Sequence, residues 1–232
     1  MFRSSVPSRA QTREAQLLLA NEGLCRNEAD RVQTASLVVD KLPRTARDIQ
    51  LLLLGTPHRL SREVQYSILN CLDYSTISPQ NIELLLPAVA ELLNNVSSET
   101  AYVWMKLGCL LGDGWLRAAD AKMRHEIIHT ILNAVRSARF VSGRKGALHG
   151  IEHALNTVSL HQGRKLLEVV REVARTDRSV PVRRSAYFIL HKGRWWGSGE
   201  STQLQAYARK LGKLLQYPQP VVKRRAQASR RP

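Results

Sequence analysis

The chain has 232 residues, of which 44% are hydrophobic and 23% charged, proportions that are ordinary for a globular protein with a substantial core. No unbroken apolar run approaches the roughly 20 residues that a membrane-spanning helix needs. The N-terminal residues also lack the apolar segment of a secretory signal. We therefore expect no membrane contact and an intracellular location, either cytoplasmic or in the nucleoid or nucleus.

The net charge of +16 is the unusual figure, and it is confined to one part of the chain. Residues 1–135 carry 14 basic and 14 acidic side chains, whereas residues 136–232 carry 21 basic and 5 acidic ones. Fifteen of those 21 are arginines, which can hold a phosphate through two hydrogen bonds at once. Such an excess favours a polyanionic partner, above all a nucleic acid.

Three cysteines, Cys25, Cys71 and Cys109, lie 46 and 38 residues apart. Their odd number and the lack of a CxxC spacing argue against a disulfide framework and against a cysteine-rich zinc site, and they fit a reducing compartment. Cys71 and Cys109 fall in apolar helical stretches, so we expect both to be ordinary core residues. Trp104 and Trp115 are expected in the core for the same reason.

Hydrophobic side chains recur with helical spacing almost throughout the chain, and alternating strand patterns are essentially absent, so the predicted fold class is all-α. Ser78 and Pro79 have the residue types of an N-cap and a first helical position. Glycines are predicted to end several helices, namely Gly23, Gly55, Gly112 with Gly114, and Gly193. The predicted helices span 8–22, 26–41, 44–55, 60–73, 79–94, 98–111, 115–138, 143–158, 163–176, 180–192 and 201–217.

The predicted helices form short-looped antiparallel pairs, whose second helices begin near residues 26, 60, 98, 143 and 180. A period near 40 residues is typical of an α-solenoid, here a right-handed superhelix of about five helix pairs. We expect one such domain over residues 1–217, divided into a charge-neutral half (1–135) and a strongly basic half (136–217). Residues 218–232 are polar and basic, and they predict a flexible tail.

One unit carries a sequence motif as well as the period. Asp177, Pro181-Val182-Arg183, Ala186 and Leu190 resemble the second helix of a HEAT repeat, whose pattern is roughly D, then P-V-R, then A and L at helical spacing. The other units match in period alone. The resemblance implies that the helix pairs are HEAT-like.

Two histidine motifs raise the question of a metal site. His125-Glu126-Ile127-Ile128-His129 has the H-E-x-x-H form of zinc metalloproteases, in which the histidines bind zinc and the glutamate activates water. His149 to His153 has the inverted order, H-x-x-E-H. Both pairs lie opposite the apolar stripe of their helix, so they are either solvated surface histidines or four imidazoles that converge on a metal. HEAT-like hydroxylases that bind two irons use several His-Glu dipeptides, and this chain has one. We expect no metal and no cofactor.

A tryptophan pair stands in a glycine-rich stretch near the end of the basic half. The run from Trp195-Trp196 to Glu200 is similar to the Trp-Trp-x-x-x-acid run of AlkD-like alkylpurine DNA glycosylases. In that family the tryptophans cradle the damaged nucleotide and the acid assists base loss. The resemblance implies these roles for Trp196 and Glu200. The alternatives are that the two tryptophans cap the core or stack on nucleic-acid bases.

The sequence as a whole favours a non-enzymatic HEAT-like binding or adaptor protein whose basic C-terminal half binds DNA or RNA mainly through phosphate contacts. The alternatives are an AlkD-like glycosylase, an adaptor that docks an acidic protein, and a histidine-based metalloenzyme. No catalytic residue is assigned, and Glu200 and Glu126 are the candidates if the chain is an enzyme. The predicted nucleic-acid contacts are Arg136, Arg139, Arg144, Lys145, Arg164, Lys165, Arg183, Arg184, Lys192, Arg194, Trp195 and Trp196.

Overall fold

The structure is a computed structural model that describes residues 66, 69–70, 72–73, 77–97, 102–192 and 199–218. These ranges contain helices and no strand, so the all-α prediction is confirmed for them. None of the helices in these ranges is both long and apolar enough to cross a bilayer. The three helices predicted before residue 56, with Gly23 and Gly55 at their ends, lie outside the described residues.

The helices that follow agree with the predicted elements in order and differ in their ends. The helix over Val180–Lys192 begins and ends where the sequence predicts it, and the helix over Pro79–Asn95 ends one residue later. We label them α1 (Pro79–Asn95), α2 (Val103–Cys109), α3 (Leu116–Ala118), α4 (Ala121–Ser137), α5 (Val141–Ala154), α6 (Leu160–Thr176), α7 (Val180–Lys192) and α8 (Gly199–Gly212).

The glycines at positions 112 and 114 do not end a helix, and that prediction is wrong. A π-helical segment over Leu110–Trp115 joins α2 to α3, so the helical path continues to Ala118. Gly112 serves packing instead, because a Cβ atom there would lie 2.1 Å from the carbonyl oxygen of Gly150. The chain turns further on, at Asp120, whose carboxylate accepts the backbone N–H of Met123 at 2.8 Å and caps α4.

From α4 onward, the helix starts recur at an interval of 39 residues. Helices α4, α6 and α8 begin at Ala121, Leu160 and Gly199, and α5 and α7 begin at Val141 and Val180. Both α4 and α6 have 17 residues and a side-chain N-cap. Helix α4 contacts α1 and α6, α6 contacts α8, and α5 contacts both α2 and α7, so the helices form two adjacent rows.

The core lies between these two rows. Trp115 is fully buried in this core, as predicted. Trp104 is only partly buried and packs against the core. Val182, Ala186 and Leu190, which carry the repeat motif in the sequence, are also buried in this core. The motif residues of α7 therefore pack against neighbouring helices. Side chains that bind a partner must lie on the exposed faces of the helices.

Candidate functional site

Helices α2 and α5 approach each other until their backbones touch. A Cβ atom at Gly108 would lie 2.5 Å from the carbonyl oxygen of Gly146, and one at Gly146 would lie 2.6 Å from that of Trp104. Gly112 and Gly150 make the equivalent close approach one turn further on. Because no side chain separates the two helices, residues that flank these glycines can meet across the interface.

Three potential metal ligands meet at this place. Cys109 follows Gly108 on α2, and its Sγ atom lies 3.4 Å from Nε2 of His149 and 3.5 Å from Nε2 of His153 on α5. The two imidazole rings are four residues apart on one helix face and pack edge to face, 4.6 Å between centroids. All three side chains are half-buried, and their ligand atoms lie within 4.8 Å of one another.

Glu152 holds one of the two rings from the other side. Its Oε2 atom lies 3.4 Å from Nδ1 of His149. Burial disfavours charge on His149, but hydrogen bonds to Cys109 and Glu152 outweigh burial and raise its pKa to about 9. Burial likewise opposes a thiolate at Cys109, yet the hydrogen bonds and positive charge of His149 and His153 lower its pKa to about 6. The two histidines therefore favour the thiolate form of the sulfur.

The structure changes the predicted roles of these residues. Cys109 was expected in the core and instead faces the two histidines. The alternative in which four imidazoles converge is not found among the described residues, because His149 and His153 lie half-buried beside Cys109 and apart from the other pair. His125, Glu126 and His129 are exposed on α4, and among the described residues no group of three potential ligands includes any of them.

A sequence signal for this cluster existed and was not used. Gly108 and Gly112 on one helix, and Gly146 and Gly150 on the next, both have the G-x-x-x-G spacing that allows close helix contact. Two such helices in contact bring Cys109 within reach of His149. Helical periodicity alone could not reveal the contact between Cys109 and His149. It shows which face of a helix is buried, but not how closely two helices approach.

A cavity of about 280 Å³ opens beside the cluster. Trp104 and Phe188 are among its lining residues, with His149 and Glu152. Lys145 also lines it, with its Nζ atom 4.4 Å from the centre of the Trp104 ring. The cavity therefore combines aromatic and charged groups next to one of the potential ligands.

The predicted nucleic-acid contacts fall into different environments. Arg136, Arg139, Arg164 and Lys165 are exposed, as a phosphate contact requires. Lys145, Arg183 and Arg184 are half-buried. Arg183 donates to the carbonyl oxygen of Asp177 at 2.6 Å, and Arg184 donates to that of Pro218 at 3.2 Å. The last two guanidinium groups are therefore already engaged in internal contacts.

Arg144 is an interior residue, and the prediction that it contacts phosphate is wrong. It is 3% exposed, and its Nε atom donates to Oδ2 of Asp177 at 2.8 Å. Its Nη1 atom donates to the carbonyl oxygen of Ala138 at 2.9 Å. The side chain lies under the turn between α4 and α5, where it joins successive helix pairs, so it cannot reach a partner in solution.

Four exposed arginines repeat with the period of the helices. Arg136 lies in the last turn of α4 and Arg139 lies two residues after its end. Arg175 and Arg178 take the same places relative to α6, 39 residues later. Arg178 donates to the carbonyl oxygen of Arg139 at 3.4 Å, and Arg136 and Arg178 line one cavity of about 530 Å³. We call these four residues the arginine edge.

Arg175 and Arg178 were missing from the predicted contacts. Alignment of residues 136–145 with 175–184 would have found them, since arginine recurs at the first, fourth and ninth positions of both stretches. The remaining predicted residues stay predictions. Arg194, Trp195 and Trp196 lie outside the described residues, and for Lys192 and Glu200 the structure describes the helix position and no side chain.

Comparison with known proteins provides no relative from which a function could be transferred. No protein-family model, no curated protein and no solved structure matches the chain. The function must therefore be argued from the arginine edge and the Cys109 cluster themselves.

Proposed function

We propose that the chain is a non-enzymatic, HEAT-like solenoid protein whose basic half binds nucleic acid through phosphate contacts. The repeat interpretation is supported by the 39-residue recurrence of helix starts and by the contacts of each helix with its counterpart in the next pair. In a repeat of this kind, equivalent side chains are presented again and again along one edge.

The arginine edge is the observation that carries the proposal. Arg136, Arg139, Arg175 and Arg178 are exposed, and none of them forms an ion pair within the described ranges. Two arginines in each of two successive helix pairs, at the same register, form a short array of positive charge. A phosphate backbone is also a regular array of charge, and arginine can hold each phosphate with two hydrogen bonds.

The binding can be tested by reversing charge at two equivalent positions of the edge, in the double variant Arg139→Glu/Arg178→Glu. Each phosphate contact contributes about 0.9 to the slope of log affinity against log salt for double-stranded DNA, so the slope should become shallower by about 1.8. Affinity at low salt should fall by at least about tenfold. Fluorescence anisotropy with a labelled duplex measures both quantities.

Arg117→Glu/Lys122→Glu is the matched control, since it changes the net charge by the same amount. Both residues are exposed and lie in the charge-neutral half, 66% and 77% exposed in their side chains. The control should keep the wild-type slope. If the two double variants reduce affinity equally, net charge alone drives association. If the wild-type protein binds neither DNA nor RNA even at low salt, its partner is an acidic protein.

A further inference from the structure

We infer that Cys109, His149 and His153 form a zinc site with three protein ligands and an open fourth position. This site is independent of the arginine edge and of the proposed nucleic-acid binding.

Both sulfur–nitrogen separations match those of a zinc tetrahedron. Zinc lies about 2.3 Å from a cysteine sulfur and about 2.05 Å from a histidine nitrogen. A zinc ion at those distances from atoms that are 3.4 and 3.5 Å apart has S–Zn–N angles of about 103° and 107°, near the tetrahedral value of about 109°. The side chains need no rearrangement in these two directions to accept the ion.

The chemistry of the donors also suits zinc. A thiolate and two neutral imidazoles are the sulfur and nitrogen ligands that zinc prefers, whereas calcium and magnesium require oxygen. Both histidines present Nε2 to the sulfur, and Nδ1 of His149 is left to donate to Glu152. A carboxylate behind a ligating histidine is the usual outer partner in zinc sites, where it fixes the tautomer and the ring orientation.

The three side chains stand on two closely packed helices. The glycine contacts fix the distance between α2 and α5, and the spacing of His149 and His153 puts both rings on one face of α5. Ligands on packed helices are held more precisely than ligands on loops. With three protein ligands, the fourth tetrahedral position is left for water or for an exogenous ligand, as in catalytic zinc sites.

The same residues do not form a good cysteine nucleophile. An acyl-transfer site needs free backbone N–H groups that stabilise an oxyanion, and these are found at helix N-termini or turns. Cys109 is the last residue of α2 and the helix continues through the π-helical segment, so the nearby N–H groups are used by the helix itself. A nucleophile also needs one base, whereas two imidazoles converge on this sulfur.

Metal binding to the full-length chain, expressed without a histidine tag and stripped with chelator, tests the inference. Titration with Co²⁺ should give one equivalent bound, with a thiolate-to-cobalt charge-transfer band, and Zn²⁺ should displace the cobalt. The variants Cys109→Ser and His153→Gln should each weaken Zn²⁺ binding by about 100-fold or more, and Cys109→Ser should abolish the charge-transfer band. Glu152→Gln should weaken binding by about 10-fold and keep that band, because the residue positions a ligand without being one.

Two controls separate this site from other histidines and thiols of the chain. His125→Gln/His129→Gln removes the exposed pair on α4, and Cys25→Ser/Cys71→Ser removes the other two cysteines; both should bind one equivalent with unchanged affinity. Helical circular dichroism identifies any variant that fails to fold. For the wild-type protein, Zn²⁺ should also protect Cys109 from alkylation, a readout that needs no substitution.

Three results would overturn the inference. The first is a Zn²⁺ affinity of folded Cys109→Ser that equals that of the wild-type protein. The second is loss of metal in the His125→Gln/His129→Gln control. The third is a wild-type protein that binds neither metal and whose Cys109 is alkylated rapidly with and without Zn²⁺, which would identify a reactive cysteine in place of a metal ligand.

Discussion

Replacement of Arg144 by alanine should destabilise the fold and leave nucleic-acid affinity unchanged in the protein that remains folded. The guanidinium pairs with a carboxylate that is itself buried, since the two side chains are 4% and 9% exposed. Removal of one partner from a buried pair costs about 3–5 kcal/mol, because the other charge is left without compensation. For a chain of this size, that corresponds to a fall in melting temperature of roughly 6–20 °C.

Urea denaturation followed by circular dichroism measures the cost, with Arg136→Ala as the control. Arg136 is exposed and unpaired within the described residues, so its replacement should change stability by less than about 0.5 kcal/mol. Addition of Asp177→Asn to Arg144→Ala should restore part of the stability, since the amide keeps an acceptor for the N–H of Ser179, 2.7 Å away, and removes the orphaned charge. Wild-type stability of Arg144→Ala together with a loss of DNA affinity would contradict an interior role for Arg144.

Three further predictions concern the glycine interface, the thiol and a helix cap. Gly112→Ala should lower the free energy of unfolding, measured in thermal melts, by at least about 1–3 kcal/mol. Gly150→Ala should cost far less, because its new Cβ would lie 3.4 Å from the nearest atom. Similar costs for the two variants would contradict the backbone contact at Gly112. In metal-free protein with the other two cysteines replaced by serine, iodoacetamide alkylation of Cys109 should follow a pKa of about 6, so the rate falls below pH 6 as the thiolate takes up a proton. His149→Gln should move that pH profile upward, and an unmoved profile would argue against the ion pair. Ser159→Ala should cost about 1 kcal/mol in urea denaturation because it removes the capping box of α6, and no loss would mean that the cap adds nothing.

Much of the fold was readable from hydrophobic period and caps. The limits of α1 and α7 follow from Ser78-Pro79 and from the apolar spacing of Val182, Ala186 and Leu190, all of which depend on neighbours close in sequence. Gly112 was misread because a glycine between two helical stretches has the same local appearance whether it ends a helix or admits a neighbouring backbone. The distinction depends on α5, which is distant in sequence.

The site was harder to predict, for the same reason. Cys109 has apolar neighbours, and nothing local shows that two imidazoles lie opposite it. Arg144 belongs to a basic stretch, and its partner Asp177 is 33 residues away. In both cases the role of the residue depends on a contact between successive helix pairs. Alignment of the pairs at a 39-residue offset would have shown which arginines are equivalent, but it would not have shown these contacts.

The most direct test of the proposed function is the affinity of the intact protein for double-stranded DNA, single-stranded DNA and RNA over a salt series. If the four arginines of the edge each hold a phosphate, log affinity for double-stranded DNA should fall against log salt with a slope of about −3.6 or steeper. A slope near zero, or no binding to any of the three polymers at low salt, would contradict the proposal and assign the basic half to a protein partner.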